Sequence, residues 1–282
     1  MLIRDFIPHI SLRKFVQCIR IVHFQFDDIS QVSVKAYPPK PEQCLHFILQ
    51  GQFTTEAEDE NKIHHSSIVL GGQQTSVVRK FSGQHFLDVQ IVFQPSAFYQ
   101  ITGIPAFELT NRFINATDVF PGIHYTLDEM MHTADYNEMI TIAQSFVHQL
   151  IRNAKKAEHP LDSISTQMRE SITHVSMDGL ARDAFLSTKQ FKRKFFERTG
   201  VNPKTYARIV RFNKAFNLRN WFADSDWSYI AAKSGFTDYQ HLSKDYKLFT
   251  GMTPAQFHEL ELQSPECTLN LAKSLYRTRA IL

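Results

Sequence analysis

Short apolar segments with strand-like alternation fill the first third of the chain. The clearest is segment 87–93, where apolar residues at every second position would line one face of a half-buried strand. Glycine and proline separate the segments, and the acidic stretch 56–62 is typical of a hairpin loop. Further strands are predicted at 32–37, 44–49, 68–70 and 77–78. This pattern predicts an antiparallel barrel or sandwich.

Helical periodicity replaces the strand pattern after residue 95. A short helix through Phe98 is predicted to end at Gly103, and a longer apolar-periodic helix over about 130–154 closes the domain. The polar segment 155–160 ends in a proline, which disfavours helix in the residue before it. We therefore predict a boundary between two domains, residues 1–156 and 157–282.

The second half of the chain contains an internal repeat of two helical modules. Residues 180–203 parallel residues 230–254 at apolar, hydroxyl and glycine positions. In each module a short helix and a tight turn precede a second helix, which is predicted to start at a capping box on Ser187 or Thr237. Each second helix stops at a glycine, Gly200 in the first module. This order indicates a helix-turn-helix, whose second helix can lie in the DNA major groove.

A third helix is predicted between the two modules. Asn202 and Pro203 form a good N-cap and first-residue pair, and apolar residues continue to about residue 222. Some 20 residues at 1.5 Å each span about 30 Å. Because one turn of B-DNA is ~34–36 Å long, one chain would place two recognition helices in successive major grooves.

Helical spacing separates buried from outward positions on the second helix of each module. Phe191 and Phe195 are four residues apart and should be buried together, as should Leu242 and Tyr246. The opposite faces hold side chains that suit base edges, since Arg and Lys bond guanine and Gln bonds adenine. A solvated amphipathic face is the alternative for one helix, but matched positions in both helices favour DNA contact. The predicted base-contacting residues are Lys189, Lys192, Arg193, Tyr239, Gln240, Ser243 and Lys244, and the predicted phosphate contacts are Lys194, Lys204 and Lys247.

The charge distribution agrees with this interpretation. The chain has 282 residues and a net charge of only +3, from 31 Lys+Arg and 28 Asp+Glu. Residues 1–162 hold 13 basic and 17 acidic residues, whereas 163–282 hold 18 and 11, so the halves carry −4 and +7. Residues 180–220 reach +9, whereas residues 224–262 carry −3. We therefore predict that DNA affinity resides in the second half, and mostly in its first module.

Composition excludes several other classes of protein. The chain is 43% hydrophobic and 21% charged, which suits packed cores rather than disorder. No segment approaches the ~20 apolar residues of a membrane helix, and Asp5 interrupts any signal-like N-terminus. We expect an unprocessed cytoplasmic protein. Cys18, Cys44 and Cys267 lack C-x-x-C spacing, so reduced structural thiols are expected rather than disulfides or a zinc cluster.

No catalytic residue, metal site or cofactor is predicted. His64 and His65 are adjacent and would point to opposite faces of a strand, and the H-x-H spacing of metal-binding cupins is missing. Phosphate-binding loops and nucleophile elbows are missing from the sequence as well. An apolar or aromatic effector inside a barrel would contact Phe47, Phe81, Phe86, Phe93 and Tyr99.

The repeat resembles the DNA-binding domain of the AraC/XylS family of bacterial transcription regulators. The match covers about residues 161–260, and Lys244, Asp245 and Tyr246 depart from the family pattern. It rests on Leu180-Ala181, Phe191-Lys192-Arg193-Lys194-Phe195, Gly200-Val201-Asn202-Pro203, Gly235-Phe236-Thr237-Asp238 and Gly251-Met252-Thr253-Pro254. The resemblance implies a seven-helix domain, promoter binding, contact with RNA polymerase, and base contacts at the positions given above.

The first half is similar, less specifically, to cupin-like sensor domains of one AraC subgroup. The similarity rests on the order of segments 92–99, 103–105 and 109–113, and it implies an effector pocket or a dimer contact. A monomer and a homodimer formed through the 130–154 helix both remain open. The alternative function is a cupin-type enzyme that modifies small molecules, fused to a DNA-binding module.

The predicted fold is therefore α+β with two domains. The N-terminal domain is a cupin-like antiparallel β-barrel with closing helices, and the C-terminal domain is all-α with a double helix-turn-helix at about 161–262. The expected partners are double-stranded DNA, RNA polymerase and a small-molecule effector. No role is predicted for residues 265–282.

Overall fold

The N-terminal part of the chain is built from two antiparallel sheets. The structure, a computed structural model, describes residues 2–26, 35–56, 61–170, 176–222 and 224–268. The strands are β1 (Leu2–Phe6), β2 (Val16–Gln25), β3 (Lys35–Tyr37), β4 (Gln43–Gln50), β5 (Thr54–Glu56), β6 (Lys62–His64), β7 (Ile68–Gly71), β8 (Val78–Phe81), β9 (His85–Phe93) and β10 (Phe113–Asn115). The larger sheet has the order β1-β2-β9-β4-β7-β10, and the smaller has the order β3-β8-β5-β6.

The predicted α+β architecture and antiparallel sheet domain are confirmed. Among the described strands no hydrogen-bonded pair joins the two sheets, so the predicted barrel takes the form of two sheets that do not close. The predicted strand 32–37 begins in residues outside the described part, as does the middle of the predicted hairpin loop 56–62.

Strand β9 is buried on both faces, so the prediction of a half-buried strand at 87–93 is wrong. Leu87, Val89 and Ile91 face the core that the helices cover. The alternate residues Phe86 and Asp88 face a cavity between the two sheets. The period-2 pattern therefore marks two different buried environments, one apolar and one mixed.

Three helices, α1 (Ala97–Thr102), α2 (Ile123–Met131) and α3 (Tyr136–Arg152), cover the larger sheet. Helix α1 ends at Gly103, at φ 71°, as predicted. The helix predicted over 130–154 is α3, which begins later than predicted because the Asp135 side chain accepts a hydrogen bond from the Asn137 amide and caps it. Met130 and Met131 are instead the end of α2. Met139, Ile142 and Phe146 bury the apolar face of α3 against the sheet.

The rest of the described chain is helical. Its helices are α4 (Pro160–Glu170), α5 (Met177–Asp183), α6 (Thr188–Thr199), α7 (Pro203–Trp221), α8 (Trp227–Lys233), α9 (Tyr239–Thr250), α10 (Pro254–Leu262) and α11 (Pro265–Thr268). Helices α4 to α10 are the seven helices that the resemblance implies. The predicted domain boundary at 156/157 falls between α3 and α4 and stays a prediction. Residues 269–282 of the tail lie outside the described residues.

Local capping signals explain where the helices of the two modules begin. Ser187 and Gln190 form the predicted capping box of α6. The matching prediction for Thr237 is wrong, because Asp238 is the N-cap of α9 and its carboxylate accepts from the His241 amide at 2.7 Å. A carboxylate suits this position because it also interacts favourably with the positive end of the helix dipole.

The turn before α6 contains a strained residue. Phe185 adopts φ 56° and is 85% exposed, whereas the matching residue of the second module is Gly235 at φ 83°. A side chain in this left-handed region costs about 1 kcal/mol relative to glycine. We expect Phe185→Gly to raise the free energy of unfolding by about 1 kcal/mol in urea titrations. Phe185→Ala removes the ring but keeps Cβ, so an equal gain from it would contradict the backbone explanation.

Candidate nucleic-acid interface and ligand cavity

Helix α6 presents a basic face to solvent. Lys189, Lys192 and Arg193 are exposed on it. On the opposite face Phe191 and Phe195 are fully buried, as their spacing predicts. The buried pair fixes the rotation of α6 on its module and thereby directs the three cations outward.

Helix α9 presents a more mixed face. Tyr239, Gln240 and Lys244 are exposed and Ser243 is partly buried, while Leu242 and Tyr246 are buried as predicted. Asp245, which the sequence places on this helix as an acid, is 1% exposed. Its Oδ1 accepts hydrogen bonds from Arg208 Nη2 at 2.7 Å and Nε at 3.1 Å. Asp245 therefore holds α9 to α7 and does not contribute negative charge to the exposed face.

Helix α7 sets the separation of the two modules. It has 19 residues, which span about 28 Å, and it packs against both α6 and α9. Tyr206 and Val210 belong to the core of the first module, and Phe212 and Phe216 belong to that of the second. Of the predicted phosphate contacts, Lys204 on α7 and Lys247 on α9 are exposed and Lys194 is partly buried.

The N-terminal domain packs against the C-terminal half of α6. The Phe107 and Phe196 rings stack with centroids 5.1 Å apart and an interplanar angle of 6°. Tyr99 Oη donates to Glu197 Oε1 at 3.2 Å. Burial, and then the Glu197 carboxylate, raise the pKa of Tyr99 above its ordinary value. The N-terminal domain thus contacts the helix that carries the basic face.

Gly200 permits this close approach between the domains. It ends α6 at φ 85°, and its carbonyl accepts from Thr110 Oγ1 at 2.7 Å. A Cβ at this position would lie 2.7 Å from Thr110 Oγ1 and 3.0 Å from the Ala106 carbonyl oxygen. Glycine is therefore required here both by the backbone conformation and by the neighbouring domain.

The smaller sheet makes a second contact with the helical domain. Lys35 Nζ lies 2.9 Å from Glu261 Oε1, and both side chains are buried. The Val77 amide donates to the Phe249 carbonyl at 2.8 Å. This contact joins β3 and the segment before β8 to α9 and α10.

A cavity of about 130 Å³ lies between the two sheets. Phe81 and Phe86, two of the predicted effector contacts, line it. Phe47 and Phe93 lie on the opposite face of the larger sheet, in the helix-covered core, where Phe47 meets Phe146 edge-on at 5.9 Å. The fifth predicted residue, Tyr99, lies at the contact with α6 instead. The structure thus brings only two of the five together.

Polar residues that the sequence did not single out also line the cavity. Arg20 bonds Asp5 at 2.6 Å and Glu42 at 3.1 Å. His46 Nδ1 lies 2.8 Å from Asp88 Oδ2. Lys80 reaches the cavity from the smaller sheet. Polar or aromatic residues alternate along β2 and β9, and this signal is present in the sequence. The sequence does not show, however, that these strands pack so that the residues line one cavity.

Other potential reactive groups are held in structural contacts. Thr54 and Thr55 bond His64 and His65 respectively, at 3.0 and 2.8 Å. Burial raises the pKa of Cys44 well above its ordinary value. Within the described residues no group of three or more His, Cys, Asp or Glu side chains could hold a metal ion. No helix in the described part of the chain is long and apolar enough to cross a membrane.

Two protein families match parts of the chain. Residues 180–259 match a helix-turn-helix domain, and residues 4–115 match a domain of unknown function (DUF6597). No curated protein sequence matches significantly.

Solved structures of ToxT from Vibrio cholerae are similar at low identity. One shares 11% identity, covers 86% of this chain and 97% of that chain, and has a TM-score of 0.48. An apo form of a ToxT variant shares 13%, with 93% and 100% covered and a TM-score of 0.49. A ToxT structure with bound unsaturated fatty acid shares 13%, with 85% and 93% covered and a TM-score of 0.45. Similarity at this level assigns no ligand to the present chain.

Proposed function

We propose that this chain is an AraC-type transcription regulator, which recognises a specific DNA sequence through the helix-turn-helix domain that is matched at residues 180–259. The observation that carries the proposal is the pair of exposed faces on α6 and α9, which are joined by the 19-residue helix α7. The length of α7, about 28 Å, is comparable to one turn of B-DNA. Lys189, Lys192 and Arg193 would contact bases in one groove. In the next groove the contacts would come from Tyr239, Gln240, Ser243 and Lys244.

Phosphate contacts would fix the register of the two helices on the duplex. Lys204 and Lys247 are exposed, and Lys194 is partly buried beside the basic face of α6. Such contacts supply affinity that depends on salt but not on sequence. They complement the base contacts, which supply specificity.

The N-terminal domain would bind a small effector in the cavity between its sheets. Binding of the effector would alter the contacts with the DNA-binding domain and thereby its affinity for DNA. The contact of Phe107 and Tyr99 with α6, and the Lys35–Glu261 ion pair, support such a coupling. We also propose that the chain acts in the cytoplasm, where it meets DNA and contacts RNA polymerase. The match to a DNA-binding family favours this regulator over the alternative of a cupin-type enzyme.

Selection of duplexes from a random pool by the full chain tests the proposal. We expect an enriched motif of two blocks centred about 10–10.5 base pairs apart. Light scattering of the selected complex would distinguish one chain across both blocks from a homodimer.

The triple variant Lys189→Ala, Lys192→Ala, Arg193→Ala provides the internal control. Because its substitutions are confined to the exposed face of α6, the variant should keep the wild-type thermal melting curve. The DNA motif that it selects should lack one block and retain the other. Failure of the wild-type chain to enrich any motif would contradict the proposed function.

A further inference from the structure

Lys80 occupies an unusual position in the cavity between the sheets. Its ammonium lies 5.1, 4.9 and 5.1 Å from the ring centroids of Tyr37, Phe53 and Phe113. Among the described residues it makes no hydrogen bond or ion pair. Aromatic faces attract a cation but offer no negative charge, so this lysine lacks a counter-ion.

A second cation that lines the cavity, Arg20, is already neutralised. Arg20 donates to both carboxylate oxygens of Asp5 and to both of Glu42. Burial lowers the pKa of Lys80, and the nearby Cys44, Asp88 and Glu42 oppose this effect only partly. A ligand that brings negative charge to Lys80 would stabilise the charged form of a group that the protein leaves incompletely compensated.

The opposite wall of the cavity offers an unused acceptor. Asp88 is 1% exposed, and its Oδ2 is bonded to His46 Nδ1 and Gln90 Nε2, both at 2.8 Å. Its Oδ1 is buried and has no partner in the described structure. A buried carboxylate oxygen without a donor is costly, so a donor on a bound ligand would be favoured.

The size and lining of the cavity limit the ligand. Its volume of about 130 Å³ is close to that of an engineered cavity, about 150 Å³, that binds benzene. Val22, Phe24 and Phe86 supply apolar surface beside the polar groups. The space thus suits one ring or an equally small aliphatic body.

We propose that this cavity binds a small organic carboxylate that also carries a hydroxyl or amino group, with the carboxylate paired to Lys80 and the donor bonded to Asp88 Oδ1. The regulatory meaning of this site rests on the proposed function, since the ligand would be the effector of that regulator. The binding chemistry itself does not require DNA.

The site has a direct structural link to the DNA-binding domain. Lys80 is the cross-strand partner of Lys35, and the ammonium groups of both lie about 5 Å from the Tyr37 ring, at 5.1 and 5.0 Å. Lys35 in turn forms the buried pair with Glu261 on α10. A carboxylate that draws Lys80 away from Tyr37 would therefore act next to the ion pair that joins the two domains.

Calorimetric titration of the full chain, without DNA, tests the assignment with three matched probes. These are 4-hydroxybenzoate, benzoate, which lacks the donor, and 4-hydroxybenzamide, which lacks the charge. We expect 4-hydroxybenzoate to bind most tightly and each of the other two to bind about tenfold more weakly or worse. Equal affinity for the acid and the amide, or no binding by any of the three, would overturn the proposal without recourse to a variant.

Variants of Lys80 then test whether its ammonium binds the carboxylate of the ligand. Lys80→Met should weaken 4-hydroxybenzoate by about tenfold or more and leave 4-hydroxybenzamide unchanged, whereas Lys80→Arg should retain the preference for the acid. Lys155→Met, an exposed lysine that follows α3 and lies outside the cavity, is the matched control and should change nothing. Unchanged acid binding by Lys80→Met would overturn the proposal. A chain that binds the acid but selects no DNA motif would refute the proposed function alone.

Discussion

Replacing Glu261 by alanine is expected to lower the free energy of unfolding by about 3–5 kcal/mol. Glu261 is the counter-ion of Lys35 at 2.9 Å, and both side chains are buried between the smaller sheet and α10. Removal of the carboxylate takes this partner from a buried ammonium, so that desolvation of the charge is less well offset. Urea titration followed by far-ultraviolet circular dichroism measures the loss.

Two further variants separate charge from packing. The double variant Lys35→Met, Glu261→Leu removes both charges and keeps apolar volume, so most of the lost stability should return. Glu259→Ala, an exposed glutamate on the same helix, should change stability by less than about 0.5 kcal/mol. A double variant as unstable as Glu261→Ala would show that the ion pair is not the cause.

The helical half of the chain was largely predictable because its signals are local. Capping residues, i, i+4 apolar pairs and terminal glycines act within one or two turns, so Ser187, Phe195 and Gly200 have the roles that their spacing indicates. The error at Thr237 arose because Asp238, one residue later, is an equally good cap. Sequence spacing does not decide between two adjacent caps.

The sheet half was less predictable because its contacts are distant in sequence. Strand β2 was missed because its residues are buried on both faces and show no alternation. The sequence alone does separate Phe86 from Phe93. These two residues are seven positions apart on one strand, so their side chains must face opposite sides of the sheet. The meeting of Arg20, Asp88 and Lys80 around one cavity depends on the pairing of β2, β9 and β8 within two sheets and on how those sheets pack, which no local pattern reveals.

The structure also changes the meaning of the acidic charge in the second module. Residues 224–262 carry −3, but Asp245 is paired with Arg208 and Glu261 with Lys35, both inside the protein. The exposed surface of the second module is therefore less acidic than the count suggests. The predicted difference in DNA affinity and specificity between the two modules now depends on the exposed cations of α6, and chiefly on Arg193.

We expect Arg193→Ala to weaken binding to the selected DNA motif by about 1–3 kcal/mol and to relax preference at one base position. The guanidinium is exposed on α6 and can bond guanine O6 and N7 together. Lys247→Ala should instead weaken all sequences alike and reduce the slope of log K against log salt by about one unit.

Fluorescence anisotropy with the selected duplex and its single-base variants, at several salt concentrations, measures both effects. Arg152→Ala, which removes the same charge at the exposed end of α3, is the control and should leave affinity and specificity unchanged. Lys244→Ala compares the modules directly, because it removes a predicted base contact of α9. Equal losses of specificity from Lys244→Ala and Arg193→Ala would contradict the dominance of the first module, while a loss from Arg193→Ala alone would support it.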